Sequence, residues 1–473
     1  MLQPIDMKKK QDKQPEAAPA VQPVQSAKPG IETVKQVRAP QLVKGMKDIL
    51  PVDQPYWMHI KALIGRMMDD YSFGRIDMPI VEDTSLFLHG LGKQTDIVEK
   101  EMYTFVDQGG NNLSLRPELT ASFVRSYLEH GMLTWPQPVK LYAVGPAYRH
   151  DKPQEGRYRQ FYQWSCEVIG EAKAAADAQL ILIAYKFYTS LGLSPIMHIN
   201  SIGCQVCRPA YREALTEYYK NKRSQICEDC KRRLTRNVMR LLDCKEQTCQ
   251  EIKAKSPHMD EYRCDDCKNH FMSVLEYVDD FDIPYEYNHY LVRGLDYYSR
   301  TVFEFYIPRG DDEEMNMLAI GGGGRYDQLV ELFGGMPTPA VGFAVGIERV
   351  ILKLKEMQTA GEEIPIVQQR KIDIFIAQLG ERAKRRMMVL YEELLKEGFA
   401  MAEAFTKDSL RAQLDLANKL GVKFTVILGE KELIDGTIII RNMEGGEQEV
   451  IDSTKLIPTL RKKLDAWSQK TTS

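Results

Sequence analysis

Apolar residues recur along this 473-residue chain with two distinct periods. From Gln54 to about Tyr71, the positions Ile60, Leu63, Ile64, Met67 and Met68 fall at helical spacing and predict an amphipathic helix. FGRIDMPIVEDTSLF then switches to strand character, and NLSLRPELTASFVRSYL, from Asn111, passes from a strand into a helix near Leu119 or Thr120. Alternation is cleanest between Val139 and Gly170, which reads as two antiparallel strands joined by a charged loop, His150 to Tyr158. In the second strand Arg159, Phe161, Gln163, Ser165 and Glu167 share one face, while Tyr162, Trp164, Cys166 and Val168 form an apolar core face. Ala143, Gly145 and Ala147 of the first strand lie on the side shared with Arg149. Small residues beside polar ones predict a concave surface with room for a ligand; the alternative is a sheet whose polar face meets solvent. The loop is longer than a minimal hairpin turn, which favours a functional role.

Further on, residues 176–191 have a helical pattern ending near Gly192, and IMHINSIG is a strand. Tyr287 to Ile307 predicts a strand, a polar break and a second strand. AIGGGGRYD follows, and from Pro339 a strand of small residues runs into a helix. Residues 356–370 read as a linker. Beyond them alternating strands and helices from 371 to about 465 predict a small mixed-sheet α/β domain. No internal repeat or coiled coil is evident.

Composition narrows the class. With 44% hydrophobic and 27% charged residues the chain is that of a globular protein, and its length suggests about three domains. No apolar run approaches the ~18 residues of a membrane helix. The N-terminus has neither a signal-peptide apolar core nor an Arg-rich leader, so a cytoplasmic location is expected. Residues 1–40, rich in Pro, Ala, Gln and Lys and without aromatics, are expected to be a disordered tail. The net charge of −3 means that any nucleic-acid contact must come from local basic surface.

Candidate chemistry gathers at a few places. Glu118 sits at a strand-to-helix junction, where it either points into a cleft or serves the helix terminus. Arg293, Asp296, Tyr297 and Tyr298 crowd the polar break, a combination suited to an anion and a polar ring. The four glycines of AIGGGGRYD are not followed by GK[ST], so this is no P-loop; they permit close backbone approach by a ligand or a packed strand. Arg349 falls in the first turn of a helix, an electrostatic mismatch unless a polyanion sits there. Eight of nine cysteines lie between Cys204 and Cys267: Cys204/Cys207, Cys227/Cys230 and Cys264/Cys267 as CxxC pairs, with Cys244/Cys249 between them. In a chain without an export signal this favours metal or reduced thiols over disulfides, the metal reading being structural Zn at one site or two and the alternative a set of reduced thiols on small helical hairpins.

Five stretches in order resemble the histidyl-tRNA synthetase family of class II aminoacyl-tRNA synthetases: LRPELTAS, the YRHDKPQEGRYRQF hairpin with its CEVIG end, LVRGLDYYSRTVFEF, GGGRYD and AVGFAVGIERV. The class I signatures HIGH and KMSKS are absent. The resemblance spans about residues 42–465. It implies an α+β fold, with a class II antiparallel catalytic sheet and helices in residues 41–195 and 284–355. A helical Cys-rich insertion domain would occupy 196–283, and an anticodon-binding domain 371–465. It further implies L-histidine, ATP with Mg²⁺ and tRNA(His) as partners, and a homodimer with the region around Pro79 near its interface.

By matching motif, the resemblance makes Arg149, Arg293 and Gln163 the catalytic candidates. Glu118, Leu119, Thr120, Gln163, Glu167, Tyr297 and Tyr298 would bind histidine together with the two arginines, Glu167 and Tyr298 holding the imidazole nitrogens. Phe161 would stack on adenine, and Arg149, Arg157 and Arg349 would meet phosphates. Lys152, Gln154 and Arg159 are candidates for the tRNA acceptor end; Lys152 stands where many bacterial relatives have Arg. Two other readings are a synthetase-like regulatory subunit of ATP phosphoribosyltransferase and a non-catalytic tRNA-binding module. The intact C-terminal region and RGLDYY stretch weigh against the first, and the retained Arg149, Arg293 and Glu167 against the second.

Overall fold

The hairpin forms as its alternation predicts, and a large sheet grows from it. The computed structural model describes residues 39–92, 95, 97–152, 154–308, 317–366 and 371–471. Most of the expected N-terminal tail and the end of the expected linker lie outside these residues. The eight strands of the sheet are β1 (Gly74–Arg75), β2 (Val139–Tyr148), β3 (Gln160–Ile169), β4 (Ile196–Ser201), β5 (Tyr285–Tyr287), β6 (Ser299–Pro308), β7 (Met317–Arg325) and β8 (Ala340–Gly346). Their order is β1-β2-β3-β8-β7-β6-β4-β5, antiparallel except at the two edges, where β1 pairs with β2 and β4 with β5 in parallel.

Two cores lie on opposite faces. Trp164, Cys166 and Val168 of β3 pack with α1 (Gln54–Asp70), α3 (Ala174–Ser190) and α4 (Ile347–Thr359). Trp164 is fully buried, edge-on to Phe343 at 5.0 Å. The start of α1 carries a Pro, whose fixed φ suits a first helical turn, and seven of its side chains are buried. On the other face Leu141, Ala143 and Ala147 meet α2 (Thr120–Glu129) together with Tyr297, Tyr298 and Tyr326.

Three differences from the sequence pattern stand out. The strand at Tyr287 stops there, and residues 288–298 form a loop, because that stretch is held by side-chain contacts from elsewhere in the chain. Helix α4 continues to Thr359, through residues read as linker. The second hairpin strand begins at Gln160, so Arg159 lies just before it.

Residues 374–452 supply a separate five-stranded sheet, with strands 374–379, 401–403, 424–429, 437–442 and 448–452 and its own apolar cores. A short helix, Glu430–Asp435, joins the third and fourth of these strands. No helix among the described residues is long and apolar enough to cross a membrane.

Candidate active site

The register of the large sheet lays small residues in rows. Glu167, Gly342 and Gly324 are successive partners across β3, β8 and β7, and Ser165, Ala344, Gly322 and Glu304 continue the next row into β6. Small residues thus lie beside Ser165, Glu167 and Glu304 on one face of the sheet, the juxtaposition that the hairpin alternation predicts. Glycine is required at two of its points. A Cβ at Gly342 would overlap the Glu167 carboxylate, and one at Gly322 would lie 2.5 Å from the Phe303 carbonyl oxygen and 2.9 Å from Arg293 Nη1. The glycines therefore admit both a neighbouring strand and a functional side chain. Gly342→Ala is expected to destabilise the fold by about 1–3 kcal/mol, read by thermal unfolding.

Glu167 is the best-anchored side chain on this floor, 1% exposed. Thr120 Oγ1 donates to its Oε1 at 2.8 Å and the Tyr326 hydroxyl to its Oε2 at 2.6 Å. Burial pushes its pKa up to about 8, against those two donors, and the nearby Glu118 charge adds to the rise. Glu118 itself accepts from the backbone N–H of Thr120 at 2.6 Å and of Ala121 at 2.8 Å. The two readings left open for Glu118 thus merge: it sits on the N-terminus of α2, and doing so aims Thr120 at Glu167. Burial raises its pKa, opposed by those backbone donors. Leu119 occupies the cap position with its side chain in the core, so only its backbone faces the site.

Arg149 continues from β2. Its Nε donates to the Pro117 carbonyl at 2.8 Å, and its guanidinium lies over the Phe161 ring, 5.4 Å from the centroid. Burial lowers its pKa while Glu101 and Glu118 oppose that. Arg293, on the 288–298 loop, pairs with Glu304 at 2.9 Å and lies over the Tyr298 ring at 5.8 Å. Burial alone would lower its pKa; the Glu304 carboxylate, together with the Tyr298 and Tyr306 hydroxyls, reverses that, so the cation is firmly held. Arg293 Nε and Gln163 Oε1 are buried with no partner in the protein. Unpaired buried polar atoms of this kind are uncommon and are expected where a ligand completes the site.

Arg349 donates to the Ala319 carbonyl at 2.5 Å and to that of Gly156 at 3.4 Å, tying α4 to the hairpin loop. Its neighbour Glu348 accepts from the Tyr162 N–H at 2.9 Å, and burial lifts its pKa to about 7. The Glu348 carboxylate thus faces β3. Arg157 pairs with Asp151 at 3.1 Å. Within the loop, Gln154 and Arg157 exchange backbone hydrogen bonds. Lys152 is exposed, whereas Arg159 donates to the carbonyls of Lys44 at 3.2 Å and Asp151 at 3.5 Å.

Three residues escaped the reading of single motifs. Tyr326 was visible only as part of GGGRYD, and its contact with Glu167 spans 159 positions. Arg325, from the same motif, is fully buried and pairs with Asp177 of α3 at 2.5 Å. Glu304 was a lone carboxylate between two core phenylalanines, the one signal that could have drawn attention to it.

A family model described as "Histidyl-tRNA synthetase" matches residues 45–350, and one described as "Anticodon binding domain" matches 373–463. The chain belongs to the histidyl-tRNA synthetase family. A protein named histidine–tRNA ligase from Dehalococcoides mccartyi is 46% identical over 425 residues, covering 90% of this chain and all of the relative. One of the same name from Pelotomaculum thermopropionicum is 42% identical over 429 residues, 90% of this chain and 98% of the relative. The apo histidyl-tRNA synthetase of S. aureus superposes with a TM-score of 0.72 at 34% identity, covering 89% of this chain and 99% of that one. For a histidyl-tRNA synthetase family member, the large antiparallel sheet and separate C-terminal sheet are the expected α+β, class II architecture.

Proposed function

We propose that this protein is a histidine–tRNA ligase, which joins L-histidine to ATP and then passes the histidyl group to the 3′ end of tRNA(His). The observation that carries the reading is a buried carboxylate, Glu167, fixed by Thr120 and Tyr326 within a chain of this family. A carboxylate with two fixed donors keeps its remaining acceptor capacity aimed one way. It suits the N–H of an imidazole, and Tyr298 would serve the other ring nitrogen. An apolar analogue would leave these groups unpaired, which is the basis of sharp selectivity.

In the first step a histidine carboxylate oxygen forms a bond to the α-phosphorus of MgATP, and the bond from that phosphorus to pyrophosphate breaks. Arg149 and Arg293 would approach the α-phosphate from two sides and hold the charge that grows there. Gln163, with Glu118 and Thr120 behind it, would position the α-amino and carboxylate groups, and Tyr297 would close the pocket. Adenine would stack on the Phe161 face not covered by Arg149, while Arg157 and Arg349 would meet the outer phosphates. In the second step the terminal ribose hydroxyl of the tRNA attacks the histidyl carbonyl and adenylate leaves. Lys152 and Gln154 on the hairpin loop are the acceptor-end candidates; Arg159, folded onto Lys44 and Asp151, would have to exchange those contacts.

The match of residues 373–463 supports anticodon recognition by the C-terminal domain and weighs against the regulatory-subunit reading. The domain division given by the sequence, a cytoplasmic location and a homodimer joined near Pro79 belong to the same proposal. Its test is aminoacylation of a tRNA(His) transcript with each of the twenty amino acids offered separately. Histidine alone should be charged; charging of another amino acid, or of none, would overturn the reading.

A further inference from the structure

The eight cysteines of the insertion sort in space into two separate tetrads: Cys204, Cys207, Cys264 and Cys267 in one, Cys227, Cys230, Cys244 and Cys249 in the other. Within each, the four sulfur atoms all lie within 4.8 Å of one another. The first tetrad has Sγ–Sγ separations of 3.7 Å (Cys204–Cys207), 3.8 Å (Cys204–Cys264) and 3.8 Å (Cys207–Cys267). In the second, Cys227 and Cys244 are 3.8 Å apart. A tetrahedral Zn²⁺ with Zn–S bonds of about 2.3 Å has an S–S edge of about 3.8 Å. Disulfide sulfurs approach to about 2.05 Å, so these thiols are spaced for a common cation and not for bonds to each other. Backbone N–H groups also point at sulfur, from Cys204 to Cys207 at 3.2 Å and from Cys227 to Cys249 at 3.3 Å, an arrangement that favours thiolates.

We propose that the insertion binds two structural Zn²⁺ ions, one per tetrad, and that they brace the loop carrying Arg293, Tyr297 and Tyr298. Each tetrad supplies four protein ligands, so neither leaves an open position for catalysis. The chain order gives them different tasks. The first joins the segment just after β4 to the start of the helix Asp265–Asp280 that returns to β5, and so clasps the two ends of the insertion. The second folds the part between.

Both parts reach residues 288–298. Arg208, the residue after Cys207, donates to the Tyr298 carbonyl at 2.6 Å and to that of Gly203 at 2.9 Å. From the inner part, Asn237 donates to Asp296 at 2.5 Å and Arg240 to the Arg293 carbonyl at 3.4 Å. The loop thus borrows its order from the insertion, whose core of Leu, Ile, Val, Met and Tyr side chains also holds five of the cysteines, with the other three packed against it. Metal bound at the tetrads would add its binding free energy to the folding of this core. Among the described residues a third group, His258, Asp260 and His289, is also close enough for a metal. Asp260 is already taken there by Arg263 and Tyr287, so it carries no proposal.

The experiment is elemental analysis of the full-length protein, purified in reducing buffer without chelator. Close to two Zn per chain is expected, and Cys264→Ser should lower this to about one. After removal of the metal under reduction, Co²⁺ should be taken up to two equivalents with thiolate-to-cobalt absorption, a readout on the unmutated chain in case the variant does not fold. Fewer than two equivalents by both measurements, or disulfides within the tetrads, would overturn the proposal. The bracing of the loop rests on the histidine-site reading. Cys264→Ser should raise the KM for histidine at least tenfold in pyrophosphate exchange, and an unchanged KM with one Zn lost would overturn that part. Absence of histidine-dependent exchange in the two-Zn protein would instead count against the ligase reading.

Discussion

Arg293→Ala is expected to slow histidine-dependent ATP–pyrophosphate exchange by about 10²–10³-fold, the usual loss when one fixed donor to a developing charge is removed. Arg293 is already held within the protein. One arm is paired with Glu304 and its Nε has no protein partner. Truncation leaves Glu304 without its cation, but the Tyr306 hydroxyl still donates to it at 2.6 Å. The fold should therefore survive with some loss of stability. Arg293→Lys separates the two effects. It keeps a charge beside Glu304 and should restore thermal stability, yet recover little exchange, because an ammonium cannot present a planar fork to carboxylate and phosphate together. Wild-type exchange in Arg293→Ala would refute the assigned role.

The second large effect is expected at Glu167. Burial sets its pKa at about 8, against a value of 4.5 for an unperturbed Glu. Between these values the folded protein holds a proton that the unfolded chain has lost. Stability from this group is full below about pH 4.5 and falls by about 1.4 kcal/mol per pH unit, as an upper bound, until pH passes the folded value near 8. Glu167→Gln should abolish that slope, so the variant should match the wild type in melting temperature near pH 5 and exceed it near pH 8. Its catalytic effect runs the other way. Above its folded pKa Glu167 is a charged acceptor for the imidazole N–H, worth about 1.5–3 kcal/mol, so above about pH 8 kcat/KM for histidine should fall by about 10- to 100-fold. Melting curves across this pH range and exchange kinetics on one preparation test both. Retention of the slope in Glu167→Gln would assign it to another group, and unchanged kcat/KM would remove Glu167 from the histidine site.

Much of this site could be read from local sequence because its residues follow the strand period. Phe161, Gln163 and Glu167 occur at even spacings on β3, and the structure keeps them on one face opposite Trp164 and Cys166. Helix starts at Gln54 and Thr120 were likewise legible, since apolar spacing and the strand-to-helix switch are local signals. Arg159 lies one residue before the strand, but its carbonyl still accepts from the Arg149 N–H at 2.9 Å, so the hairpin pairing reaches it. The extra turn of α4 was missed because only Met357 among its residues is buried, and one apolar residue among polar ones gives no helical period to read.

Long-range pairing is what no window of sequence contains. Tyr326 and Glu167, Arg325 and Asp177, and Arg293 and Glu304 meet only because the order β3-β8-β7-β6 brings distant strands side by side. The same limit held for the cysteines. Their spacing announced thiolate chemistry, but four pairs can be joined in several ways. It is the start of the helix Asp265–Asp280, brought back against the segment that follows β4, that unites the first pair with the last. The sequence by itself determined the family, the class of chemistry and the residue types that carry it, because those are properties of contiguous motifs. The tertiary structure alone decided which carboxylate is buried, which donors hold it and which sulfurs share a site. Burial and pairing are set by neighbours far along the chain, and they in turn set the charge each group carries.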